Sequence, residues 1–266
     1  GGVLQNEGEL SREFGFKRYL FKYRSEGLNL YGFINIPEGE GPFPVVILLH
    51  GGVDFTAYQT VGYTHRYADA LAQNGTIAIN PNLRGYAPSQ DGANEFGIGD
   101  TIDILNLINL IHAQSGTAGL LQHADPSRIG LWGHSMGAGI VLRILIIDPS
   151  IRSGLLYAPI NANEGLNLSH FGNDGRREIK LNVPSSALKL ISPSEYLKEI
   201  NAPLSIHHGT EDEIVPVKWS QDLCARLEKL GKKEECYLYP QQTHTFQNEG
   251  DMLFIQRMLD FFRRTL

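Results

Sequence analysis

Short apolar runs rich in β-branched residues alternate along the chain with segments of helical periodicity. This alternation is the sequence feature that most restricts which folds the chain can adopt. The runs Pro44–Leu49, Gly75–Ile79 and Arg128–Trp132 are apolar on both faces, which is typical of strands buried in a sheet covered by helices. Between them, apolar side chains recur at helical spacing, as in residues 63–71 and 102–112. Strands that alternate with helices predict an α/β fold with a mostly parallel sheet and right-handed crossovers.

The same reading gives a sheet of eight strands with helices on both faces. The predicted strands are Lys17–Tyr23, Leu30–Ile36, Pro44–Leu49, Gly75–Ile79, Arg128–Trp132, Gly154–Tyr157, Pro203–His207 and Cys236–Tyr239. The first two are predicted to form an antiparallel hairpin, because only a short turn separates them. A length of 266 residues is compatible with one large α/β domain, so residues 1–266 are interpreted as a single domain with residues 1–16 as an N-terminal extension.

One segment, from about residue 159 to residue 198, interrupts the series of strands and helices. It is rich in Asn, Gly and Ser and is too long for an ordinary connection, so it is interpreted as an insertion with partial helix of its own. An insertion at the carboxyl edge of a parallel sheet is well placed to act as a lid. A loop without a function is the alternative.

Composition excludes several classes of protein. The chain is 42% hydrophobic and 20% charged, with a formal net charge of −6, so it has no basic field for a nucleic acid and none is expected as a partner. No apolar run reaches the roughly 18 residues needed to cross a bilayer. The sequence contains no H-E-x-x-H, G-x-x-x-x-G-K-[ST] or G-x-G-x-x-G pattern, so neither a metal nor a nucleotide cofactor is indicated.

Only two cysteines occur, Cys224 and Cys236, which excludes a disulfide scaffold and a C-x-x-C site. Two separate, partly buried thiols are the favoured interpretation. A disulfide between the predicted helix that carries Cys224 and the strand that carries Cys236 is the alternative, because oxidation depends on the compartment.

The segment Gly133-His134-Ser135-Met136-Gly137 matches the pattern G-x-S-x-G. It follows a predicted buried strand and precedes a predicted helix, so it forms a strand-to-helix turn. The glycines let the backbone turn sharply and lift Ser135 above the sheet, which is the position of a nucleophile. The free N–H of Met136, at the helix N-terminus, is a candidate donor to a developing oxyanion.

A serine nucleophile needs a base and an orienting carboxylate. Side chains at the carboxyl ends of other parallel strands converge on this edge of the sheet. One such loop offers Asp212, between the competing carboxylates Glu211 and Glu213, and the loop after the last strand offers His244. His244 is the only histidine after residue 208.

Together these segments make the chain similar to the α/β-hydrolase family, in the branch of dienelactone-hydrolase-like esterases and prolyl oligopeptidase catalytic domains. The stretches that carry the resemblance are His50-Gly51-Gly52, Asn82-Leu83-Arg84-Gly85-Tyr86, the Ser135 turn, His208 to Pro216 and Thr243 to Phe246. The resemblance implies that Ser135 is the nucleophile, Asp212 the acid and His244 the base, in the family's chain order. It also implies that Gly52, or alternatively Val53, supplies the second oxyanion N–H beside that of Met136.

The resemblance implies a serine carboxylic-ester hydrolase that acts on small-molecule esters of short or medium acyl chains through an acyl-enzyme, without a cofactor. The chain departs from HGGG-type lipases at Val53 and from dienelactone hydrolases in having Ser135 rather than Cys as nucleophile. A prolyl-oligopeptidase-type peptidase, an acyltransferase or lyase on the same fold, and a non-catalytic binding module are the alternatives. His50, Arg84 and His134 are interpreted as structural residues of their loops.

Overall fold

The computed structural model describes residues 2–172 and 183–266. Within these residues, nine strands form one mixed sheet in the order β1-β2-β3-β5-β4-β6-β7-β8-β9. The strands are β1 Gln5–Glu13, β2 Phe16–Ser25, β3 Leu28–Pro37, β4 Phe43–Leu49, β5 Ile77–Pro81, β6 Ala124–His134, β7 Ser153–Tyr157, β8 Leu204–Gly209 and β9 Glu234–Tyr239. Strands β4 to β9 are parallel to one another, and β1, β2 and β3 add on as an antiparallel meander.

Seven α-helices accompany the sheet in the described residues. They are α1 His65–Gln73, α2 Ile98–Gln114, α3 Met136–Ile147, α4 Glu164–Phe171, α5 Ser185–Ile191, α6 Val217–Lys229 and α7 Asn248–Thr265. Helices α1 and α7 pack on one face of the sheet around an aromatic core, while α2, α3 and α6 pack on the other face around an aliphatic one. The predicted fold class, a mostly parallel sheet with helices on both faces, is therefore confirmed.

The predicted number of eight strands is wrong by one. The additional strand, β1, lies in residues 1–16, which were interpreted as an N-terminal extension. Almost every residue of β1 is exposed, and its mixture of Glu, Gly, Ser and Arg shows no apolar alternation. Backbone hydrogen bonds to β2 hold the strand in place. Because such bonds can form with any side chains, the sequence of β1 carries no hydrophobic pattern that would predict it.

The favoured interpretation of the cysteines is also wrong, because Cys224 of α6 and Cys236 of β9 form a disulfide. Helix α6 crosses back over the sheet beside β9 and brings the two Cα atoms to 6.4 Å, within the range that a disulfide spans. That approach depends on how the helix packs, which the sequence separation of the two residues does not reveal.

The insertion contains helices α4 and α5 in its described part, as expected, and its residues 173–182 lie outside the described residues. A buried ion pair between Arg143 of α3 and Glu164 of α4 attaches it to the rest of the fold. None of the helices in the described ranges is both long and apolar enough to cross a membrane.

Candidate active site

Ser135 lies between the end of β6 and the first residue of α3, at the carboxyl edge of the sheet. Its backbone has φ 54° and ψ −115°, a conformation that a residue other than glycine adopts at a cost of roughly 1–3 kcal/mol. The Ser135 N–H donates to the carbonyl oxygen of Tyr157 at 2.8 Å, which fixes the turn against the end of β7. Strain held in this way by the surrounding structure is characteristic of a functional turn.

The two glycines of the turn are required by close backbone contacts. A Cβ atom on Gly133 would lie 2.5 Å from the carbonyl oxygen of Gly137, and a Cβ on Gly137 would lie 2.2 Å from the carbonyl oxygen of Leu49. Helix α3 therefore approaches both β6 and the end of β4 more closely than any side chain would allow. This approach brings the Ser135 turn directly against the loop that follows β4.

Asp212 lies in the loop after β8, with its carboxylate fully enclosed. One oxygen, Oδ1, accepts the backbone N–H groups of Ile214 and Val215 at 2.9 and 2.8 Å. The other oxygen, Oδ2, lies 2.8 Å from Nδ1 of His244 and 3.0 Å from Nε2 of His208. Burial alone raises the pKa of Asp212, but the hydrogen bonds from His208 and His244 outweigh burial and hold that pKa well below the usual range of a carboxyl group.

The Asp212 carboxylate fixes the protonation of His244. An ionised carboxylate only accepts hydrogen bonds, so Nδ1 of His244 must carry a proton. In the neutral ring, Nε2 then has its lone pair available to take a proton from another group. The backbone N–H of His244 donates to the carboxylate of Glu213 at 3.2 Å, which holds the loop of His244 against the loop of Asp212.

No hydrogen bond of 3.5 Å or less joins the hydroxyl of Ser135 to the His244 ring in the described part of the chain. His134, the residue before Ser135, packs against His244 instead, with 4.6 Å between the centroids of the two rings. Hydrogen bonds between a nucleophile and its base are often long outside the substrate complex and shorten when substrate binds.

The backbone N–H groups near Ser135 separate the two candidates for the second oxyanion donor. The Gly51 N–H donates to the hydroxyl of Tyr63 at 2.8 Å, and the Val53 N–H points to the hydroxyl of Tyr86 at 3.4 Å. The Gly52 N–H has no acceptor among the described residues. Met136 begins α3, so its N–H has no acceptor within the helix. These contacts favour Gly52 over Val53 beside Met136.

The structural roles expected for His50 and Arg84 agree with their contacts. Nδ1 of His50 lies 2.8 Å from the carbonyl oxygen of Gly51, and its Nε2 accepts the N–H of Leu83 at 3.3 Å. The Arg84 guanidinium donates to both carboxylate oxygens of Asp103, at 2.6 and 2.9 Å, and is almost fully buried. Four of its five N–H groups are bonded within the protein, which supports a structural role for Arg84.

Sequence reasoning missed the contact between His208 and Asp212. Its Nε2 faces two acceptors, the Asp212 carboxylate and the carbonyl oxygen of Val215 at 3.0 Å, so this nitrogen carries a proton. Its Nδ1 lies 2.7 Å from the hydroxyl of Ser220 on α6. The signal was present as a histidine four residues before Asp212, although only the folded loop shows that the two side chains meet.

Helix α4 of the insertion contacts the loop of Asp212. Nε2 of His170 lies 3.0 Å from the carbonyl oxygen of Ile214, and the His170 ring packs against Trp219 with 5.0 Å between ring centroids. The insertion thus borders the site, as its position in the sequence predicts. In the part of the chain that the structure describes, no group of three or more His, Cys, Asp or Glu side chains is arranged to hold a metal ion.

A nine-stranded, largely parallel sheet with a strained serine at a strand-to-helix turn defines an α/β-hydrolase. The family model described as the prolyl oligopeptidase family matches residues 63–266, and the chain belongs to this family. This membership confirms the predicted resemblance.

Relatives of this chain include both peptidases and esterases. The uncharacterized peptidase YuxL of Bacillus subtilis is 23% identical to this chain. The match covers 85% of this chain but only 35% of the length of YuxL. The acylaminoacyl peptidase of Pyrococcus horikoshii has a similar structure, with a TM-score of 0.76 and 24% identity, and the match covers 95% of this chain and 42% of the peptidase. Acetyl xylan esterase 1 of Thermoanaerobacterium sp. JW/SL YS485 superposes with a TM-score of 0.70 and 18% identity, over 97% of this chain and 87% of its own.

Proposed function

We propose that this protein is a serine carboxylic-ester hydrolase in which Ser135, His244 and Asp212 form the catalytic triad. The observation that carries the proposal is the 2.8 Å hydrogen bond between Asp212 and Nδ1 of His244, because it leaves Nε2 as the proton acceptor. His244 follows β9 and Ser135 follows β6, so both residues belong to the same carboxyl edge of the sheet. The substrate is a small-molecule ester, and the mechanism requires no cofactor.

The reaction has two steps, formation of the acyl-enzyme and its hydrolysis. Nε2 of His244 takes the hydroxyl proton of Ser135 while Oγ attacks the ester carbonyl, and the N–H groups of Met136 and Gly52 bind the resulting oxyanion. The tetrahedral adduct collapses to an acyl-enzyme and expels the alcohol, which receives the proton from His244. Water then attacks the acyl-enzyme and gives a proton to His244. His244 passes that proton to Oγ of Ser135 as the carboxylic acid leaves, which restores the Ser135 hydroxyl.

Turnover of p-nitrophenyl acetate and butyrate tests the proposal, with the Ser135→Ala protein as the control. We expect wild-type turnover with a burst of p-nitrophenol equal to the concentration of active sites, and neither in the Ser135→Ala protein. Absence of turnover in the wild type, or full activity of the Ser135→Ala protein, would overturn the assignment.

A peptidase is the second candidate, and membership of the prolyl oligopeptidase family favours it. The same groups can cleave an amide if His244 protonates the departing amine. A panel of aminoacyl p-nitroanilides beside the p-nitrophenyl esters separates the two functions. Higher kcat/KM for the esters supports the esterase, whereas turnover of anilides without turnover of esters supports the peptidase.

A further inference from the structure

Three hydrogen bonds run in sequence through the side chains of Tyr63 and His134, beside the proposed triad. The Gly51 N–H donates to the Tyr63 hydroxyl oxygen at 2.8 Å. The same hydroxyl lies 2.9 Å from Nδ1 of His134, and Nε2 of His134 lies 3.0 Å from the carbonyl oxygen of His244. We refer to Tyr63 and His134, with these three bonds, as the relay.

The direction of every bond in the relay is fixed by chemistry. The carbonyl oxygen of His244 can only accept, so Nε2 of His134 carries a proton. Burial lowers the pKa of His134 to about 3, so the ring holds a single proton at neutral pH and Nδ1 is an acceptor. The Tyr63 hydroxyl therefore donates to Nδ1, and its oxygen is left to accept the N–H of Gly51.

The relay joins three of the four loops that the proposed mechanism uses, all except the loop of Asp212. Gly51 precedes the proposed oxyanion donor Gly52, His134 precedes the proposed nucleophile Ser135, and the accepting carbonyl belongs to the proposed base. Packing around the relay is tight. A Cβ atom on Gly51 would lie 3.1 Å from both Nδ1 of His134 and Cβ of Ser135, and 3.3 Å from the Tyr63 oxygen.

In the described residues, neither relay side chain hydrogen-bonds to the backbone of a strand or helix. Tyr63 lies just before α1, and its hydroxyl bonds only to Gly51 and His134 within the described residues. Because the Gly51 N–H is held by Tyr63, the orientation of the following peptide, which carries the Gly52 N–H, depends on this phenol. In the same way, the backbone position of His244 relative to Ser135 depends on the imidazole of His134.

We propose that Tyr63 and His134 are positioning residues for hydrolysis, which hold the Gly52 N–H and the His244 backbone in register with Ser135. The proposal rests on the proposed function, because it assigns these residues to the same site. The relay acts through its neighbours and does not touch the substrate. Through His134, the residue before the nucleophile in G-x-S-x-G, the loop of the base is linked to the loop of the oxyanion donor.

The Tyr63→Phe protein tests the proposal, with Tyr58→Phe as the matched control. Tyr58 lies on the same loop, and its hydroxyl donates to Asn82 at 2.9 Å, outside the relay. Loss of one oxyanion donor lowers kcat by about a hundredfold to a thousandfold, so its misorientation in Tyr63→Phe is expected to lower kcat by about tenfold to a hundredfold, with little change in KM. Tyr58→Phe is expected to stay within about threefold of wild type.

The affinity for a transition-state analogue distinguishes a positioning role from a purely structural one. An aryl trifluoromethyl ketone forms an adduct with the serine and needs the oxyanion donors, whereas a ground-state ester analogue does not. We expect its inhibition constant to rise in Tyr63→Phe by the same factor as kcat/KM falls. An unchanged kcat in a folded Tyr63→Phe protein, or equal weakening of both inhibitors, would overturn the proposal.

A second variant, His134→Phe, keeps the test decisive if Tyr63→Phe is poorly folded, because its kcat is expected to fall by a similar factor and an unchanged kcat would overturn the proposal. Phenylalanine keeps an aromatic ring at this position but removes both the donor to the His244 carbonyl and the acceptor that Tyr63 uses. Where both single variants fold, the double variant is expected to lose about as much kcat as the more impaired single variant, because the two residues act as one unit. Additive losses would contradict the relay. Failure of the proposed function is distinct, since it appears as wild-type protein without turnover or as full activity in Ser135→Ala.

Discussion

Nε2 of His208 lies 3.0 Å from Oδ2 of Asp212, so two histidines share one carboxylate oxygen. The second of them, His244, approaches the same oxygen from the other side at 2.8 Å. With both backbone N–H groups on Oδ1, the carboxylate accepts four hydrogen bonds. This saturation explains how an ionised carboxylate is accommodated in a fully enclosed position.

Replacement of His208 by Leu is expected to lower the free energy of unfolding by about 2–3 kcal/mol at pH 7, because it removes a hydrogen bond to a buried charge. The folded-state pKa of Asp212 lies below its unfolded value, so the stability from this carboxylate is present above about pH 4 and is lost as pH falls through the folded pKa.

Urea denaturation of both proteins at pH 7 and pH 2 measures this effect, and the difference between them should shrink at the lower pH. Ser220→Ala provides a graded variant, since it removes only the hydroxyl beside Nδ1 of His208 and should cost about 1 kcal/mol. A difference that is equal at both pH values would show that His208 acts by packing alone.

Replacement of Asp212 by Asn is expected to lower kcat by about four orders of magnitude with little change in KM. An amide in place of the carboxylate favours the wrong tautomer of His244, as in serine proteases, from which this magnitude is taken. Steady-state kinetics on p-nitrophenyl acetate measures the loss.

Glu211→Gln is the control for Asp212→Asn. Glu211 is an exposed neighbour that competed with Asp212 in the sequence, and its loss should change kcat by no more than about twofold. A larger effect of Glu211→Gln than of Asp212→Asn would reassign the acid.

The ion pair between Arg143 and Glu164 predicts an asymmetric response to substitution. Both side chains are about nine-tenths buried, so Glu164→Leu leaves an uncompensated charge on Arg143 and should cost about 3–5 kcal/mol of stability. The double variant Arg143→Met and Glu164→Leu should recover most of that loss, because it removes both charges. Thermal and urea unfolding of the three proteins check this, and additive losses in the double variant would contradict it.

Replacement of Cys224 and Cys236 by Ser is expected to lower the free energy of unfolding by about 3 kcal/mol, the loop-closure contribution for two cysteines 12 residues apart. Unfolding of the oxidised wild type, the reduced wild type and the double variant measures it. Reduction should bring the wild type close to the variant. If the oxidised wild type and the variant unfold at the same urea concentration, the disulfide contributes nothing.

The sequence was informative about the fold wherever burial leaves a periodic pattern. The central strands were predicted because they are short runs apolar on both faces. The helices α1, α2, α3 and α6 were predicted because apolar side chains recur on the face turned toward the core. Strand β1 and the disulfide escaped prediction for the opposite reason. The strand is held by backbone hydrogen bonds along an exposed edge, and the cysteines meet through the packing of α6 against β9.

Within the site, the sequence by itself determined the residue types and their order along the chain: a serine between two close-packed glycines, followed by loops that carry Asp212 and His244. A motif and a strand end are local properties, so they can be read from neighbours in the sequence. Tertiary structure alone decided that His208 shares the oxygen of Asp212 and that Tyr63 and His134 connect the loops. It also decided that the Val53 N–H faces Tyr86, while the Gly52 N–H has no acceptor among the described residues. These contacts join residues from separate loops, and only the folding of the sheet brings the carboxyl ends of its strands to one edge.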